Sequence, residues 1–326
     1  MVTIKDIAQR AGVTTTTVSR VMNNRGYISD KTREKVWKAI EEMHYHPNEV
    51  ARQLSRQHTN TIGIIVPHIS HPYFARLISD LENAAAERGY KILLCNSREQ
   101  PEKEAEYLEM CVANKVSGIV LCSKNLQAEK FKFLDIPVIN LERLDEKQDI
   151  ITIQSDNYEG GRMAAQHLID KGCRSLLHFG GVTGKNMPAD RRADGFRDVC
   201  EERAVSYVLL QSEPKEFESL QYQEYIRRNL ERNPSVDGIF ASSDLIALQV
   251  IQVCSQIEMR IPEQIKLIGF DDVGISSMAT PAITTIHQPI REMAELSVEY
   301  IDKKLRGEVV PLNVYMPVRL IERNST

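Results

Sequence analysis

The first 45 residues carry apolar side chains at helical spacing. Between residues 4 and 11 they recur every three or four positions, which predicts a short helix, and Gly12 then interrupts the pattern. Val18, Val21 and Met22 mark one face of a second helix, after which the turn residues N-N-R-G close the segment. Two short helices joined by a glycine-containing turn predict a helix-turn-helix unit.

The run V-T-T-T-T-V, residues 13–18, lies at the start of the second predicted helix. β-branched residues prefer strands, because their restricted χ1 rotamers suit a pleated surface. Helical spacing on both sides of the run nevertheless favours the start of a helix. We therefore expect these threonines to be tolerated in a helix because of the groups that they present.

A third helix is predicted from about residue 31 to 43, with Ser29 or Asp30 as its N-cap. Its expected buried side comprises Val36, Trp37, Ile40 and Met43. Because so small a domain needs large apolar groups to build a core, Trp37, the only tryptophan of the chain, is expected to be buried. These three helices form a predicted first domain of residues 1–46.

Residues 47–60 are predicted to connect this domain to the rest of the chain. Pro47 ends the third helix, and Val50 and Leu54 are spaced to share one face of a two-turn helix. A helix of this length is marginal in water unless something packs against it. We therefore expect a hinge helix that depends on a partner.

Beyond residue 60, short apolar runs alternate with helical patterns. The runs are I-G-I-I-V, K-I-L-L-C, G-I-V-L-C and P-V-I-N-L, followed by S-L-L-H-F, Y-V-L-L, G-I-F-A-S and K-L-I-G-F. The helical patterns cover residues 73–87, 102–114, 158–170, 191–202, 220–231 and 245–257. This alternation predicts parallel sheets covered on both faces, and its repetition predicts two subdomains. Ligands of such sheets bind beyond the carboxyl ends of the strands, so a small molecule is expected in the cleft between the subdomains.

Charge is distributed unevenly along the 326 residues, whose formal net charge is −4. Residues 1–58 contain ten Lys or Arg and six Asp or Glu, and the remaining residues contain thirty-one and thirty-nine. A local positive excess on an otherwise acidic chain is typical of one domain that meets a polyanion.

Composition narrows the class of protein further. The N-terminus has no apolar signal run and no segment is apolar enough to span a bilayer, so we expect a cytoplasmic protein that does not insert into a membrane. The six cysteines show no C-x-x-C pair or zinc-ligand spacing, so we expect reduced core thiols and neither a metal nor another cofactor.

The chain also lacks the motifs of common enzymes. G-G-V-T-G-K-N, residues 180–186, differs from a phosphate-binding loop because its glycine spacing is one residue short and Asn186 replaces the Ser or Thr. Neither G-x-S-x-G nor H-E-x-x-H occurs. We therefore expect a binding protein that is not an enzyme.

Several segments, in order along the chain, resemble the LacI/GalR family of bacterial transcription repressors. Residues 3–24 resemble its helix-turn-helix signature, and Y-H-P-N-E-V-A-R-Q-L, residues 45–54, resembles its hinge. The further matching motifs are S-D-N-Y-E-G-G, R-R-A-D-G-F, S-S-D, K-L-I-G-F-D-D and T-P-A-I-T-T-I-H-Q-P. The resemblance spans essentially the whole chain.

This resemblance implies both a fold and a mode of action. The implied fold is an all-α helix-turn-helix DNA-binding domain with a hinge helix, followed by an α/β periplasmic-binding-protein-like domain of two Rossmann-like parallel-sheet subdomains. Subdomain one would comprise about residues 61–157 and 288–316, and subdomain two about 158–287 and 317–326. The implied protein is a homodimer that binds a pseudo-palindromic operator in double-stranded DNA, under allosteric control by a small effector in the cleft.

The resemblance assigns DNA contacts within the first 54 residues. Thr15 and Thr16 would read bases, and Arg20, one helical turn after Thr16, would reach a guanine or, alternatively, a phosphate. Leu54 would insert into the minor groove as an apolar wedge that kinks the duplex. Thr14 is the expected N-cap of this helix, and Thr17 would face the core or a phosphate. The other expected DNA contacts are Lys5, Ser19, Asn23, Ala51 and Arg52.

Effector contacts are likewise carried over position by position. Arg192 and Asp271 would form a polar clamp. The other expected contacts are His71, Tyr73, Phe74, Glu142, Ser243, Asp244 and Gln288. Ser243 stands where many members of the family have Asn, and Asp244 could instead cap the helix that follows it.

The sequence suggests the chemical class of the effector but does not identify the compound. Residues 95–120 resemble repressors of sucrose or fructose utilisation, so a sugar or a sugar phosphate is expected. The alternative is a global catabolite-control regulator of the same family, whose corepressor is a phosphorylated carrier protein. Whether the effector induces or corepresses stays open.

Overall fold

The computed structural model describes residues 2–22, 26–45, 59–122, 136–141, 150–181 and 190–326. The chain divides into two compact units, Met1–Thr59 and Asn60–Thr326. Each unit has its own hydrophobic core.

The first unit contains three helices: α1 (Ile4–Ala11), α2 (Thr15–Met22) and α3 (Asp30–Glu42). Thr3 caps α1 in a reciprocal capping box with Asp6, and Gly12, at φ 65°, ends the helix in the left-handed conformation that glycine adopts without strain. The helices enclose a small core of buried apolar residues: Ile7, Ala8, Val18, Val21, Val36 and Ala39.

The expectation that Trp37 is buried is wrong, because its side chain is 50% exposed. The face of α3 that packs on the other helices is built from Val36 and Ala39, with Ile40 and Met43 partly buried beside them. Trp37 follows Val36 by one position, which turns it about 100° away from the centre of that face. The small core is therefore closed by short side chains.

The second unit alternates strands and helices. Its strands are β1 (Thr61–Val66), β2 (Lys91–Asn96), β3 (Gly118–Leu121), β4 (Val138–Asn140), β5 (Ile151–Ser155), β6 (Ser175–Gly180), β7 (Ser206–Gln211), β8 (Gly238–Ala241), β9 (Lys266–Asp271), β10 (Thr284–His287), β11 (Asn313–Met316) and β12 (Arg319–Ile321). Its helices are α4 (Pro72–Glu87), α5 (Pro101–Ala113), α6 (Asn157–Asp170), α7 (Asp190–Glu202), α8 (Pro214–Ser219), α9 (Gln223–Arg232), α10 (Asp244–Gln256), α11 (Gly274–Met278) and α12 (Ile290–Leu305).

The strands form two six-stranded sheets, in the orders β11-β5-β4-β3-β1-β2 and β12-β10-β9-β8-β6-β7. All neighbouring strands are parallel except β10 and β12, which are antiparallel. The predicted pair of parallel-sheet subdomains is therefore confirmed. The chain passes between the sheets three times, at 155–157, 288–289 and 317–318.

One predicted helix is displaced. The pattern at 220–231 corresponds to α9, which begins three residues later, and Leu220 adopts a left-handed conformation at φ 57°. The short helix α8, just before it, is absent from the sequence prediction. A six-residue helix offers too few turns for a hydrophobic period to be recognised.

Candidate functional site

The second helix of the first unit presents the predicted base-reading residues on its exposed side. Thr15, Thr16 and Arg20 are exposed, whereas Val18 and Val21 are buried in the core. Because Thr16 and Arg20 are separated by four residues, their side chains share one face of α2. This face is exposed, and its contact with a DNA major groove remains a prediction.

The start of α2 is secured by its own threonines. The Thr17 N–H donates to Thr14 Oγ1 at 3.1 Å, and the two hydroxyls lie 3.0 Å apart. The predicted N-cap role of Thr14 is therefore confirmed. Lys5 is exposed on α1 and Ser19 is half-buried, and their phosphate contacts remain predictions.

Five of the predicted site residues lie outside the described residues. They are Asn23, Ala51, Arg52, Leu54 and Glu142.

In the second unit, Arg192 occupies the centre of the candidate effector site. It lies in the first turn of α7 and is only 9% exposed. Its Nε donates to Asn157 Oδ1 at 2.7 Å, and its Nη1 donates to the Ser242 carbonyl oxygen at 2.5 Å. The guanidinium also lies 3.6 Å from the centroid of the Phe270 ring. These contacts hold the cation in one orientation.

Asp271 faces this guanidinium from the carboxyl end of β9. Its Oδ1 lies 3.9 Å from Arg192 Nη1 and accepts a hydrogen bond from Gln288 Nε2 at 2.7 Å. The backbone at Asp271 has φ 112°, a conformation that costs a residue with a side chain about 1–3 kcal/mol. The next residue is anchored, because Asp272 Oδ1 accepts from Arg323 Nη2 at 2.6 Å. The predicted clamp residues and Gln288 are therefore brought together.

The other side of the cleft carries His71, which is buried at the start of α4. Its Nδ1 accepts from the Tyr73 N–H at 3.2 Å and so caps the helix. Burial lowers the pKa of His71 to about 4, and the charges of His68 and Arg192 act in the same direction. His71 is therefore neutral at pH 7 and lies near enough to Arg192 to respond to its charge.

Tyr73 and Phe74 lie in the first turn of α4. Their ring centroids are 5.1 Å apart, and both side chains belong to the core beneath the first sheet. Contact with an effector remains a prediction for both residues. Their buried positions favour a role in supporting His71, whose ring centroid is 5.5 Å from that of Phe74.

Phe217 of α8 extends the site from the second subdomain. Its ring is stacked at 6.5 Å from His71 and meets His68 edge to face at 5.2 Å. This contact crosses the cleft, because His68 and His71 follow β1 of the first sheet. Phe217 is half-buried and could cover an apolar sugar face.

Ser243 and Asp244 are engaged in the structure of α10. The cap of this helix is Ser243, whose Oγ accepts from the Ile246 N–H at 3.3 Å. Asp244 accepts from the Val273 N–H at 2.9 Å and from the Thr285 hydroxyl at 2.6 Å. Burial, reinforced by the nearby Asp271 carboxylate, raises the pKa of Asp244. Effector contacts of these two residues remain predictions, and their bonds favour a structural role.

Three site residues were missed by the sequence reasoning. Asn157 and Phe270 lie inside the motifs S-D-N-Y-E-G-G and K-L-I-G-F-D-D, and Phe270 directly precedes the predicted site residue Asp271. Phe217 belongs to P-K-E-F-E-S, where a single aromatic among charged residues was the only available signal. Their partners are distant in sequence, so local patterns could not reveal the contacts.

Two negative findings concern the described residues. Among them, no group of three or more His, Cys, Asp or Glu side chains is arranged to hold a metal ion. None of the helices within the described ranges combines the length and apolarity that crossing a membrane requires.

Comparison with known proteins agrees with this architecture. The profile described as "Bacterial regulatory proteins, lacI family" matches residues 3–48, and that described as "Periplasmic binding protein-like domain" matches residues 165–326. The ribose operon repressor of Halalkalibacterium halodurans is 36% identical over 100% of this chain and 97% of its own length. The sucrose operon repressor of Streptococcus mutans is 36% identical over 99% of this chain and 98% of its own.

A solved structure extends the comparison to a bound ligand. It is a periplasmic binding protein/LacI transcriptional regulator from Alkaliphilus metalliredigens, complexed with D-xylulofuranose. The two chains are 34% identical, with a TM-score of 0.74 over 82% of this chain and 99% of the other.

Proposed function

Because this chain belongs to the lacI family of bacterial regulatory proteins, we propose that it represses carbohydrate-utilisation genes from a pseudo-palindromic operator, under the control of a small neutral sugar. The single observation that carries the effector class is the Arg192–Asp271 pair in the cleft. Operator binding implies a cytoplasmic protein. It also implies a homodimer, since the DNA-binding unit of each protomer reads one half-site of the operator.

The first unit supplies the means of reading DNA. Thr15, Thr16 and Arg20 are exposed together on α2. A threonine can bond a base through its hydroxyl or contact a thymine methyl, and an arginine can donate two bonds to guanine. The positive excess of residues 1–58 supplies attraction to phosphates that does not depend on sequence.

The charge balance of the cleft favours an uncharged polyol over a phosphate. Arg192 already faces the Asp271 carboxylate at 3.9 Å, so less of its positive charge is available to a dianion. A hydroxyl group can accept from the guanidinium and donate to the carboxylate at the same time. His71, neutral at pH 7, adds no positive charge. The sugar bound by the relative from Alkaliphilus metalliredigens is in line with this choice.

The site also contains the covering groups that a sugar needs. The ring of Phe217 from one subdomain stacks at 6.5 Å from that of His71 from the other, so a ligand bound beside this pair would touch both sides of the cleft. A ligand with contacts to both subdomains shifts the equilibrium between open and closed cleft by its difference in affinity for the two states. This shift would alter the presentation of the DNA-binding units in the dimer.

The test combines a thermal-shift screen with operator binding. D-ribose, D-xylulose, D-fructose, sucrose, ribose 5-phosphate and fructose 6-phosphate are added separately, and operator sequences are selected from random DNA. A sugar present at a hundredfold excess over its Kd should stabilise the protein by about 2.7 kcal/mol, or about 5–10 °C in Tm. The same sugar should change operator affinity.

Two substitutions make the test specific to the cleft. Arg192→Gln should abolish the shift, whereas the exposed neighbour Arg191→Gln should keep it. Stabilisation by the phosphates alone would refute the preference for a neutral ligand. If no carbohydrate binds and a phosphorylated carrier protein increases operator affinity, the alternative of a global catabolite-control regulator replaces this proposal.

A further inference from the structure

We propose that Asn157 is a positioning residue, which fixes the orientation of Arg192 and links occupancy of the cleft to the crossover between the two subdomains. This inference rests on the proposed function, because it concerns how the same site controls operator binding. It assigns the coupling between the effector site and the subdomain crossover to the buried side-chain amide of Asn157.

Asn157 stands where the chain leaves the first sheet. It is the first residue of α6, and it follows β5 after the single residue Asp156. Its side chain is 5% exposed, and both polar groups are used. The Nδ2 group donates to the Ser155 carbonyl oxygen at 2.9 Å, and Oδ1 accepts from Arg192 Nε at 2.7 Å. One amide thus connects the end of a strand in subdomain one with the cationic group of the effector site.

The connection continues to the second crossover. Arg192 Nη1 lies 3.9 Å from Asp271 Oδ1, and that oxygen accepts from Gln288 Nε2 at 2.7 Å. Gln288 directly follows β10 and is 3% exposed. Two of the three crossovers, at 155–157 and 288–289, therefore carry a side chain that is hydrogen-bonded to Arg192 or Asp271 of the effector site.

Helix packing makes this connection stiff. A Cβ built on Gly161 would lie 2.0 Å from the Arg192 carbonyl oxygen, and one on Gly195 would lie 2.0 Å from the Tyr158 carbonyl oxygen. The backbones of α6 and α7 are therefore in close contact, and the two helices must move together. If the two subdomains rotate about the crossover at 155–157, the helices cannot slide past each other to compensate. The rotation must therefore alter one of the two hydrogen bonds of the Asn157 side chain, to Ser155 or to Arg192.

The two bonds can be separated by substitution. Asn157→Asp retains an oxygen acceptor for Arg192 Nε but loses the amide donor to Ser155. Asn157→Ala loses both. Asn229→Ala is the matched control, because Asn229 is also buried and its side chain donates to a backbone carbonyl of its own helix α9, Tyr225 O, at 2.8 Å.

The experiment measures sugar affinity and the coupling ratio, which is the operator Kd with saturating sugar divided by the Kd without it. D-ribose and D-xylulose are the probes. Asn157→Ala should lower sugar affinity about tenfold or more, because a buried charge-assisted bond is lost. Asn157→Asp should restore sugar affinity to within about threefold of the parent, while its coupling ratio moves towards one. Asn229→Ala should retain the parental affinity and ratio.

A ligand-free readout keeps this inference separate from the proposed function. In protein labelled with ¹⁵N-arginine, the Arg192 Nε–H should be protected from exchange in the parent and in Asn157→Asp, but not in Asn157→Ala. An unprotected Nε–H in the parent would overturn the positioning role, whatever the sugars do. Parental coupling in both Asn157 variants, or equal losses in Asn157→Asp and Asn157→Ala, would overturn the link to the crossover. Failure of every sugar to bind a parent with a protected Nε–H would instead overturn the proposed effector class.

Discussion

Substitution of Gly161 by Ala should loosen the crossing of α6 and α7 and displace Arg192. The new Cβ would lie 2.0 Å from the Arg192 carbonyl oxygen, and real Cβ atoms essentially never come closer than 3.0 Å. The helices must therefore separate by about 1 Å, since neither backbone can yield by a rotamer change. Such overpacking costs about 3 kcal/mol, and the better helix propensity of Ala returns about 1 kcal/mol. The expected net loss is about 2 kcal/mol.

Urea titration and thermal unfolding of the whole chain measure this loss. For a unit of this size, about 2 kcal/mol corresponds to a fall in Tm of about 4–8 °C. Gly181→Ala is the control, because none of the described residues beyond its chain neighbours has an atom within 4 Å of the Cβ that it would add. The Gly161 variant should also bind sugar more weakly, since its guanidinium is shifted relative to Asn157. Stability within about 0.5 kcal/mol of the Gly181 variant would refute the reasoning from the close helix crossing.

Four further outcomes are expected. Thr16→Ala should change the preferred operator at one base pair, at a cost of about 1–3 kcal/mol on the parental site, whereas Thr14→Ala should lower the free energy of unfolding by about 1 kcal/mol. Lys5→Ala should weaken binding to all DNA sequences alike and reduce the slope of affinity against salt, as measured by fluorescence anisotropy. Leu54→Ala should weaken operator binding and leave the sugar-induced thermal shift intact. Burial lowers the pKa of His178 from 6.5 to about 4, so the stability that its neutral form contributes is lost as pH falls through this range. Unfolding of His178→Gln at pH 6 and pH 4.5 should therefore show about 2 kcal/mol less acid destabilisation than the parent.

Local patterns predicted several elements in which a whole period is visible, although α12, Ile290–Leu305, was not among them. The strands at I-G-I-I-V and K-L-I-G-F are buried on both faces and read as continuous apolar runs, and the structure has them as β1 and β9. The helical pattern at 245–257 differs by one residue from α10, Asp244–Gln256. Such elements are recognisable because their side-chain period follows from backbone geometry alone.

Other elements escaped prediction because their burial is decided elsewhere in the chain. Strand β11 alternates exposed and half-buried residues, β12 has one exposed and two half-buried residues, and each strand lies at the edge of a sheet formed by distant segments. The size of Trp37 predicts a core position, yet Val36 and Ala39 of the same helix occupy the face that packs on the other helices. The sequence leaves Asp244 as a helix cap or an effector contact, because its hydrogen-bond partners Val273 and Thr285 lie far along the chain.

The sequence by itself determined elements such as β1, β9 and α10, and it placed Thr16 and Arg20 on one face of α2, because these features follow from periodicities that operate within a few residues. The tertiary structure alone decided which polar groups meet. It brought Asn157, Arg192 and Asp271 together at the carboxyl ends of strands from two sheets, and it set Phe217 against His71 across the cleft. Contacts between residues so far apart along the chain depend on sheet order and helix crossing, which no local pattern contains.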